Sequence, residues 1–260
     1  MTSFRYLPTV SASSSSHIRS GTQQHGGVAD ALWLDGHVKI SPMDAGPGTA
    51  QVTPEELVVK MVAALEAGGS EVLIDAVVGV ELGADSSSIC GVRTAAYGVV
   101  AADRVVFCMG PWTGALLETW FAGSGLSLPL EGIKSTSMVY RDVEQIASDF
   151  CAVFSDEDTN GCHLEIYPRM GGEVYICGCG GSDHVRGARL LEGGDCCSAD
   201  LIHADSGRVE AAQRSLAAMS SLGQGREPAV VQACMRPCAS DGLPVMSAIP
   251  GVEGAFVSAG

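Results

Sequence analysis

The stretch DRVVFCMGPWTGALLETWF, residues 103–121, constrains the fold of this chain more than any other. Its apolar VVFC predicts a buried strand, which GPW ends at once. Leu116, Leu117 and Trp120 then recur at the spacing of one helix face. A strand that turns into a helix in this way brings its backbone close to another group. From these residues alone that group is either a packed neighbour, with Trp112 as a core aromatic, or a ligand.

Composition places the chain among soluble globular proteins. Its 260 residues, 46% of them hydrophobic, suffice for one large domain or two smaller ones. No run reaches the roughly 18 apolar residues of a membrane-spanning helix. The 15 basic and 30 acidic residues give a net charge of −15, which disfavours nucleic acid because phosphate affinity depends on Lys and Arg. We expect neither a nucleic-acid nor a membrane partner, and the sequence leaves the oligomeric state open.

The ten cysteines are expected to be reduced thiols rather than disulfides or metal ligands. The chain is too long for a small disulfide scaffold, and it has no signal-peptide core. The groups CGC at 177–179, CC at 196–197 and CMRPC at 234–238 do not form the two C-x-x-C units of a zinc site. The six histidines are scattered and belong to no catalytic-triad motif. Neither a metal nor hydrolase chemistry is predicted.

The first 29 residues allow two interpretations. They contain Arg5 and Arg19, are rich in hydroxyl residues and carry no acid before Asp30, as organelle-targeting segments do. Residues 4–12, however, alternate like a strand, and the polar stretch after them has the composition of a loop. We favour the strand, and with it a cytoplasmic location.

The most regular helical pattern lies in TPEELVVKMVAALEAGG. Thr53 is placed to N-cap a helix, the proline after it suits the first helical position, and the two glycines end it. Leu57, Met61, Ala64 and Leu65 fall on one face. The pattern therefore predicts an amphipathic helix.

Strands are predicted on both sides of this helix. ALWLDGHVKI predicts two short strands about an Asp-Gly turn, SEVLIDAVVGVEL one buried strand, and SSICGVRTA with the strand after it a hairpin. From 128 to 185 the pattern becomes antiparallel, with a hairpin turn at RMGGE. The chain ends on the strand GAFVSAG, so we expect the natural fold unit to extend beyond it. A second helix is predicted over 198–222, with these candidate core residues: Leu201, Ile202, Val209, Leu216 and Met219.

Four stretches together resemble the FAD-dependent oxidoreductases of the D-amino-acid oxidase and glycine oxidase superfamily. DRVVFCMGPWTGALL resembles a strand that ends in a small-residue turn against the flavin. LEIYPRMGGEVYICG is similar to the Y-x-x-P-R-x-x-G hairpin of the substrate domain, with Tyr167, Pro168 and Arg169 adjacent here. MRPCASDGLPVMSAIPGVEGAFVSAG is similar to the R-P-x-x-x-D-G-x-P loop and the strand that approaches the flavin. GTAQVTPEELVVKMVAALEAGGSEVLIDAVVGVE is similar to the helix and strand at the adenine end.

The resemblance implies FAD as cofactor and gives seven residues a role. Arg236, in the loop of the tail, is expected to hold a substrate carboxylate, because a guanidinium fork orients a carboxylate bidentately. Six residues are expected at the cofactor: Val77 at its adenine side, Cys108, Gly110, Pro111 and Trp112 in the turn beside it, and Gly260 at the end of the last strand.

The implied fold is of the α+β or α/β class. Residues 51–127 and 236–260 are expected to form a partial FAD-binding Rossmann-like domain, and residues 1–50 and 128–235 an antiparallel-sheet substrate domain. The implied function is oxidation of an amine or amino acid by hydride transfer to FAD. The family's G-x-G-x-x-G turn, which receives the pyrophosphate of FAD, is absent from the sequence, and CGCGGS is predicted to be a loop. The alternative is a non-catalytic, truncated remnant that binds no FAD.

Overall fold

The computed structural model describes residues 2–7, 33–36, 38–42, 51–146, 152–169 and 171–260. Its contacts divide the chain into two compact units. The first unit comprises Met1–Leu57, Ser135–Gly181 and His203–Ala233, and the second unit comprises Val58–Lys134, Ser182–Ile202 and Cys234–Gly260.

The described residues contain strands β1 to β14 and helices α1 to α3. The strands are β1 Thr2–Leu7, β2 Val38–Pro42, β3 Val77–Leu82, β4 Ile89–Thr94, β5 Gly98–Ala101, β6 Val105–Phe107, β7 Leu130–Tyr140, β8 Ala152–Ser155, β9 Glu165–Arg169, β10 Glu173–Cys177, β11 Asp183–Val185, β12 Val230–Ala239, β13 Val245–Ala248 and β14 Ala255–Ala259. The helices are α1 Pro54–Ala67, α2 Thr113–Trp120 and α3 Ser206–Met219. None of these helices has the length and apolar character needed to cross a membrane.

The first unit is a sheet with helix α3 packed on one face. The second half of β7, β10, β9, β8 and β1 are neighbours in this order and pair antiparallel, and β2 joins β1 in parallel. Residues alternate between the faces of a strand, so Ile166, Val174 and Ile176 enter the core cluster that also holds Leu216 and Met219 of α3. The hairpin turn predicted at RMGGE is confirmed, because β9 and β10 pair directly across it.

Arg208 connects the first turn of α3 to the open end of the β9–β10 hairpin. Its Nε donates to the carbonyl of Cys179, 2.7 Å away, and its Nη2 donates to the carbonyls of Asn160 and Gly161 at 3.0 and 3.1 Å. Cys179 follows β10, whereas Asn160 and Gly161 precede β9. One guanidinium group thus holds both chain segments at this end of the hairpin.

The second unit contains the strand, turn and helix predicted at residues 103–121. β6 leads through a 3₁₀ turn, Gly110–Trp112, directly into α2, and Leu117 of α2 is fully buried beside Phe107 of β6. Strand β6 pairs in parallel with β14, which pairs antiparallel with β13. Strands β3, β4 and β5 form a separate antiparallel sheet, whose β4–β5 part is the predicted hairpin.

Helix α1 exists as predicted, and its apolar face is exposed. The amide of Leu57 donates to the Thr53 carbonyl, as expected for an N-cap residue, and the helix ends at Ala67. No residue of α1 is buried, and Met61 and Leu65 are each more than half exposed. Apolar periodicity defines a face, but only a neighbouring element can cover it.

Three other boundaries differ from the predictions. The strand expected over SEVLIDAVVGVEL begins only at Val77, since Asp75 accepts hydrogen bonds from the amides of Ala76 and Ala96 and so shapes a loop. The second helix begins at Ser206 rather than 198, because Asp205 caps it through the amide of Arg208. Leu201 and Ile202 therefore lie outside it, whereas Leu216 and Met219 are buried as predicted.

Near the N-terminus, the structure describes only part of what was predicted. A strand is present at Thr2–Leu7, and the rest of the stretch to residue 12 lies outside the described residues. In ALWLDGHVKI only the second strand is found, as β2, while Trp33–Gly36 form no strand. The polar stretch that was predicted to be a loop, SSSSHIRSGTQQHGG, also lies outside the described residues.

The Arg208 contacts predict that two arginines of α3, Arg208 and Arg214, differ greatly in their contribution to the free energy of unfolding. Replacing Arg208 with methionine should lower the free energy of unfolding by about 3 kcal/mol, because backbone carbonyls of two loops lose a charged donor. Arg214→Met is the control, since Arg214 is largely exposed and its contacts are long, 3.4 Å from Nε to Oδ1 of Asn160 and 3.9 Å from Nη1 to Glu210. It should cost at most about 0.5 kcal/mol. Urea unfolding followed by circular dichroism measures both, and equal losses would contradict the assignment.

Candidate functional site

The carboxyl ends of two adjacent parallel strands form one candidate site, in the second unit. Ala255 pairs with Val105 and Val257 with Phe107, so β14 and β6 end at the same edge. Gly260 follows β14, and Cys108 to Gly110 follow β6. In open α/β sheets, ligands bind at the carboxyl ends of such strands. The structure therefore brings together three of the predicted cofactor residues: Cys108, Gly110 and Gly260.

Both glycines at this edge have backbones that other residues rarely adopt. Gly110 has φ +57°, and a Cβ added there would meet no atom within 4 Å, so the backbone faces open space. Gly260 has φ +123°, and a Cβ there would lie 2.7 Å from Cα of Pro244. Glycine is thus required at position 110 for its backbone conformation and at position 260 for close packing. At Gly110 the uncovered backbone is accessible to a bound molecule.

Pro111 and Trp112 have structural partners in the second unit. Pro111 is buried. The indole Nε1 of Trp112 donates to the carbonyl of Cys196 at 2.8 Å, and its ring packs against the small cluster of Val185, Leu190 and Cys196. These contacts explain a tryptophan at this position without a cofactor, and the role of both residues beside FAD stays a prediction.

Val77 and Arg236 belong to other strands than β6 and β14. Val77 is the first residue of β3, in the other sheet of the unit, and is 40% exposed. Arg236 was predicted in a loop, but it lies within strand β12 and is exposed. Pro237 does not end this strand, because β12 pairs among the described strands only with β7 and a proline can face the unpaired side. Met235 packs against the same small cluster as Trp112. Because side chains alternate between the faces of a strand, Arg236 points to the opposite face.

A second candidate site covers one face of the β8–β9–β10 sheet, in the first unit. Cross-strand pairing places Tyr167 opposite Tyr175, and Glu165 opposite both Cys177 and Phe154. The ring centroids of Phe154 and Tyr167 are 5.6 Å apart, edge to face. These five side chains are half-buried, in contrast to the fully buried opposite face. Below, they are called the Glu165 face.

The Glu165 carboxylate is the acceptor at the centre of this face. Its Oε2 accepts from the Tyr167 hydroxyl at 2.6 Å and from the Cys177 thiol at 3.5 Å. Burial, and next the bond to Glu165, raise the pKa of the Tyr167 hydroxyl well above its usual range. Burial, and next the charge of Glu165, raise the pKa of the Cys177 thiol to about 12. At neutral pH both groups are therefore protonated donors.

At the hairpin-turn end of the same face, one carboxylate is paired with two arginines. Arg169 and Glu173 are cross-strand partners, with Nη1 and Oε2 3.4 Å apart. The guanidinium carbon of Arg169 lies 4.8 Å from the ring centroid of Tyr175. Glu173 also accepts from Nε of Arg141 at 2.9 Å. Sequence analysis singled out Tyr167 and Arg169, but missed Glu165, Cys177 and Phe154; the alternation in LEIYPR and EVYIC was the signal that could have placed the first two on one face.

The cysteines show no pairing among the described residues. The nine that the structure describes are free thiols, and within the described ranges no group of three or more His, Cys, Asp or Glu lies close enough to hold a metal ion. The tenth, Cys151, is outside these ranges. The prediction that CGCGGS forms a loop is confirmed for the residues after Cys177, where β10 ends.

Comparison with known proteins relates this chain to flavoenzymes. A family described as DAO, FAD dependent oxidoreductase, matches residues 13–260 of this chain. Glycine oxidase from Pseudomonas putida is 26% identical over 179 residues, which are 68% of this chain and 40% of that protein. The structure of glycine oxidase from Geobacillus kaustophilus superposes with a TM-score of 0.58 at 26% identity, covering 82% of this chain and 50% of that one.

A further structure shows the same fold at lower identity. Iminodiacetate oxidase from Chelativorans sp. BNC1 superposes with a TM-score of 0.56 at 17% identity, covering 82% of this chain and 51% of that one. The predicted fold class, helices combined with antiparallel sheet, is confirmed by these superpositions. The chain spans about half the length of the relatives that it matches.

The bond from Cys177 to Glu165 predicts a change in thiol reactivity. The thiolate is the form that alkylates, so at about pH 8 Cys177 should react with iodoacetamide at least about tenfold more slowly than the exposed Cys108. Glu165→Gln removes the negative charge, lowers the pKa of Cys177 and should speed its alkylation. Cys179, whose pKa is raised to about 12 by burial and by Cys162, is the internal control and should not respond. Mass spectrometry of timed samples gives both rates; an unchanged Cys177 rate would show that Glu165 does not act on it.

Proposed function

The chain belongs to the FAD dependent oxidoreductase family, and we propose that it is part of a flavoenzyme that oxidises an amine or an amino acid. The observation that carries this proposal is the shared carboxyl edge of β6 and β14, where the uncovered backbone of Gly110 and the terminal Gly260 lie on one side of a parallel pair. This is the position at which α/β sheets receive dinucleotide cofactors. The relatives named glycine oxidase support the substrate class.

The residues at this edge fit one end of FAD rather than the whole cofactor. Gly110 leaves its backbone open to a flat ring, because no side chain lies within 4 Å of its Cβ position. The sequence contains no G-x-G-x-x-G turn for the pyrophosphate. We therefore assign these residues to the flavin end. A cofactor held there would supply the two-electron oxidation of the substrate amine, in which a hydride leaves the α-carbon and a proton leaves the nitrogen to give an imine, with dioxygen as the reoxidant.

The protein residues would bind and orient the substrate. A carboxylate of an amino-acid substrate would pair with Arg236, whose guanidinium group offers a two-pronged donor. Fixing the carboxylate fixes the α-carbon next to it, and orientation of this kind lowers the barrier to transfer. In this assignment the second unit corresponds to the cofactor domain and the first unit to the substrate domain. Among the described residues, 182–202 group with the second unit, although the sequence predicted them in the substrate domain.

A second candidate is a non-catalytic remnant of such an enzyme that binds no FAD. The absent pyrophosphate turn favours it, because the glycines and helix N-terminus of that turn provide much of the dinucleotide contact. The two candidates differ in one measurable property, which is affinity for flavin.

Flavin binding tests the proposal. The purified chain should quench the fluorescence of added FAD and shift its visible absorption band. Gly110→Val should weaken this binding by about tenfold, because a side chain would occupy the open space at the strand edge. Gly98→Val is the matched control, since Gly98 also has positive φ, +72°, with no atom within 4 Å of its Cβ position, but lies in the β4–β5 hairpin. A chain that takes up no flavin would contradict flavin binding by these residues, and equal losses in the two variants would remove Gly110 from the site.

The role of Arg236 is tested by comparing substrates with and without a carboxylate. For amino acids, Arg236→Gln should raise KM by roughly thirtyfold, equivalent to about 2 kcal/mol of lost charge-assisted pairing. For simple amines KM should not change, because they offer no carboxylate. Arg104→Gln, at another exposed arginine of the second unit, controls for a general loss of positive charge. Steady-state kinetics of the FAD-loaded protein give these values, and an unchanged KM for amino acids would exclude Arg236.

A further inference from the structure

Glu165 is a half-buried carboxylate whose hydrogen-bond donors are both uncharged. The Tyr167 hydroxyl and the Cys177 thiol donate to the same oxygen, Oε2. None of the ion pairs found between described side chains involves Glu165. Neutral donors orient a carboxylate but leave its full negative charge. A charge held away from bulk water in this way attracts a positive partner more strongly than an exposed one does.

The opposite end of the same hairpin shows how this sheet face binds a cation. There Glu173 pairs with Arg169, and the Arg169 guanidinium lies against the ring of Tyr175. The Glu173 carboxylate also pairs with Arg141, so one carboxylate and one tyrosine ring hold positive groups at this end. At the Glu165 end the carboxylate and the rings are present, and within the described side chains the positive group is not supplied by the protein.

Two aromatic rings stand beside the Glu165 carboxylate. Phe154 is its cross-strand neighbour on β8, and Tyr167 lies two residues further along β9, with the two ring centroids 5.6 Å apart and their planes at 88°. The faces of aromatic rings carry partial negative charge and attract cations, including quaternary ammonium groups. The Glu165 face therefore combines a fixed negative charge with rings in perpendicular orientations.

We propose that the Glu165 face is a binding site for an organic ammonium group, with the Glu165 carboxylate as counter-ion and the rings of Phe154 and Tyr167 as walls. That this ammonium group belongs to the substrate rests on the proposed amine oxidation. On that basis the substrate class is positively charged amines, rather than neutral or acidic ones. The binding site itself does not depend on FAD or on turnover.

The protonation states of the two donors suit this role. The pKa of Tyr167 is raised by burial and by Glu165, and that of Cys177 is raised by the same causes to about 12. Both groups keep their protons at neutral pH, so neither adds a second negative charge, and both continue to hold Oε2 in place.

Equilibrium binding of a cation that is not itself oxidised tests the site directly. The cation must not undergo hydride transfer from an α-carbon that bears an amine. The probe is choline, titrated into the purified chain by isothermal calorimetry, and its uncharged isostere 3,3-dimethyl-1-butanol is titrated in parallel. We expect choline to bind and the isostere to bind at least about tenfold more weakly, because only choline carries the charge. Equal binding of the two, or no binding of choline, would overturn the proposal.

Variants locate the site on the sheet. Glu165→Gln keeps the shape and removes the charge, and it should weaken choline binding by about tenfold or more. Glu173→Gln is the matched control, since Glu173 lies on the same face but is already paired with Arg141 and Arg169. Tyr167→Leu removes the ring, and Tyr167→Phe keeps it, so only Tyr167→Leu should lose the ring contribution. If Glu165→Gln does not fold, this tyrosine pair decides the question, and equal affinities in both would contradict the site.

The outcome is separable from that of the proposed function. A chain that binds choline but takes up no flavin would retain the ammonium site and lose the oxidase assignment. A chain that takes up flavin but binds no choline would retain the oxidase assignment and lose the ammonium site. A chain that binds neither choline nor flavin would contradict both the ammonium site and the oxidase assignment.

Discussion

Helix α3 and the open end of the β9–β10 hairpin are joined by the guanidinium group of Arg208. The carbonyls that it binds belong to the segments that enter β9 and leave β10. Glu165 begins β9 and Cys177 ends β10, so the same interaction fixes the spacing of the two strands where the Glu165 face is formed. With Ile166 and Ile176 buried toward α3, strand alternation then directs Glu165 and Cys177 to the opposite, half-buried face.

A different constraint organises the second unit, namely the parallel pairing of β6 with β14. These strands are far apart in sequence, yet their register sets Cys108, Gly110 and Gly260 at a common edge. Phe107 and Val257 on one side of the pair are buried in the same core as Leu117 of α2. The core thus fixes the two strands from one side, and the glycine conformations determine what their carboxyl ends leave uncovered.

Local patterns predicted local structure well. The glycine-proline-tryptophan turn, the helix after Thr53 and the RMGGE hairpin each depend on neighbouring residues, and each is found. Failures occurred where distant partners decide. Arg236 became part of β12, not of a loop, because β7 offered a pairing edge that no nearby residue predicts. The exposure of the apolar face of α1 is also set by tertiary structure, since no element in the described structure covers it. Resemblance to a family identified the fold, but the position of Glu165 opposite Cys177 was visible only in the paired strands.

By itself, the sequence determined the elements, their order and the membership of a flavoenzyme family, because turn residues, periodicity and motifs are properties of short stretches. Only the tertiary structure decided which side chains share a site. The Tyr167 hydroxyl and, from the neighbouring strand, the Cys177 thiol both donate to the Glu165 carboxylate, and the Trp112 indole donates to the carbonyl of Cys196. The physical reason is that register and burial arise from contacts between segments far apart in the chain, and no local pattern specifies them.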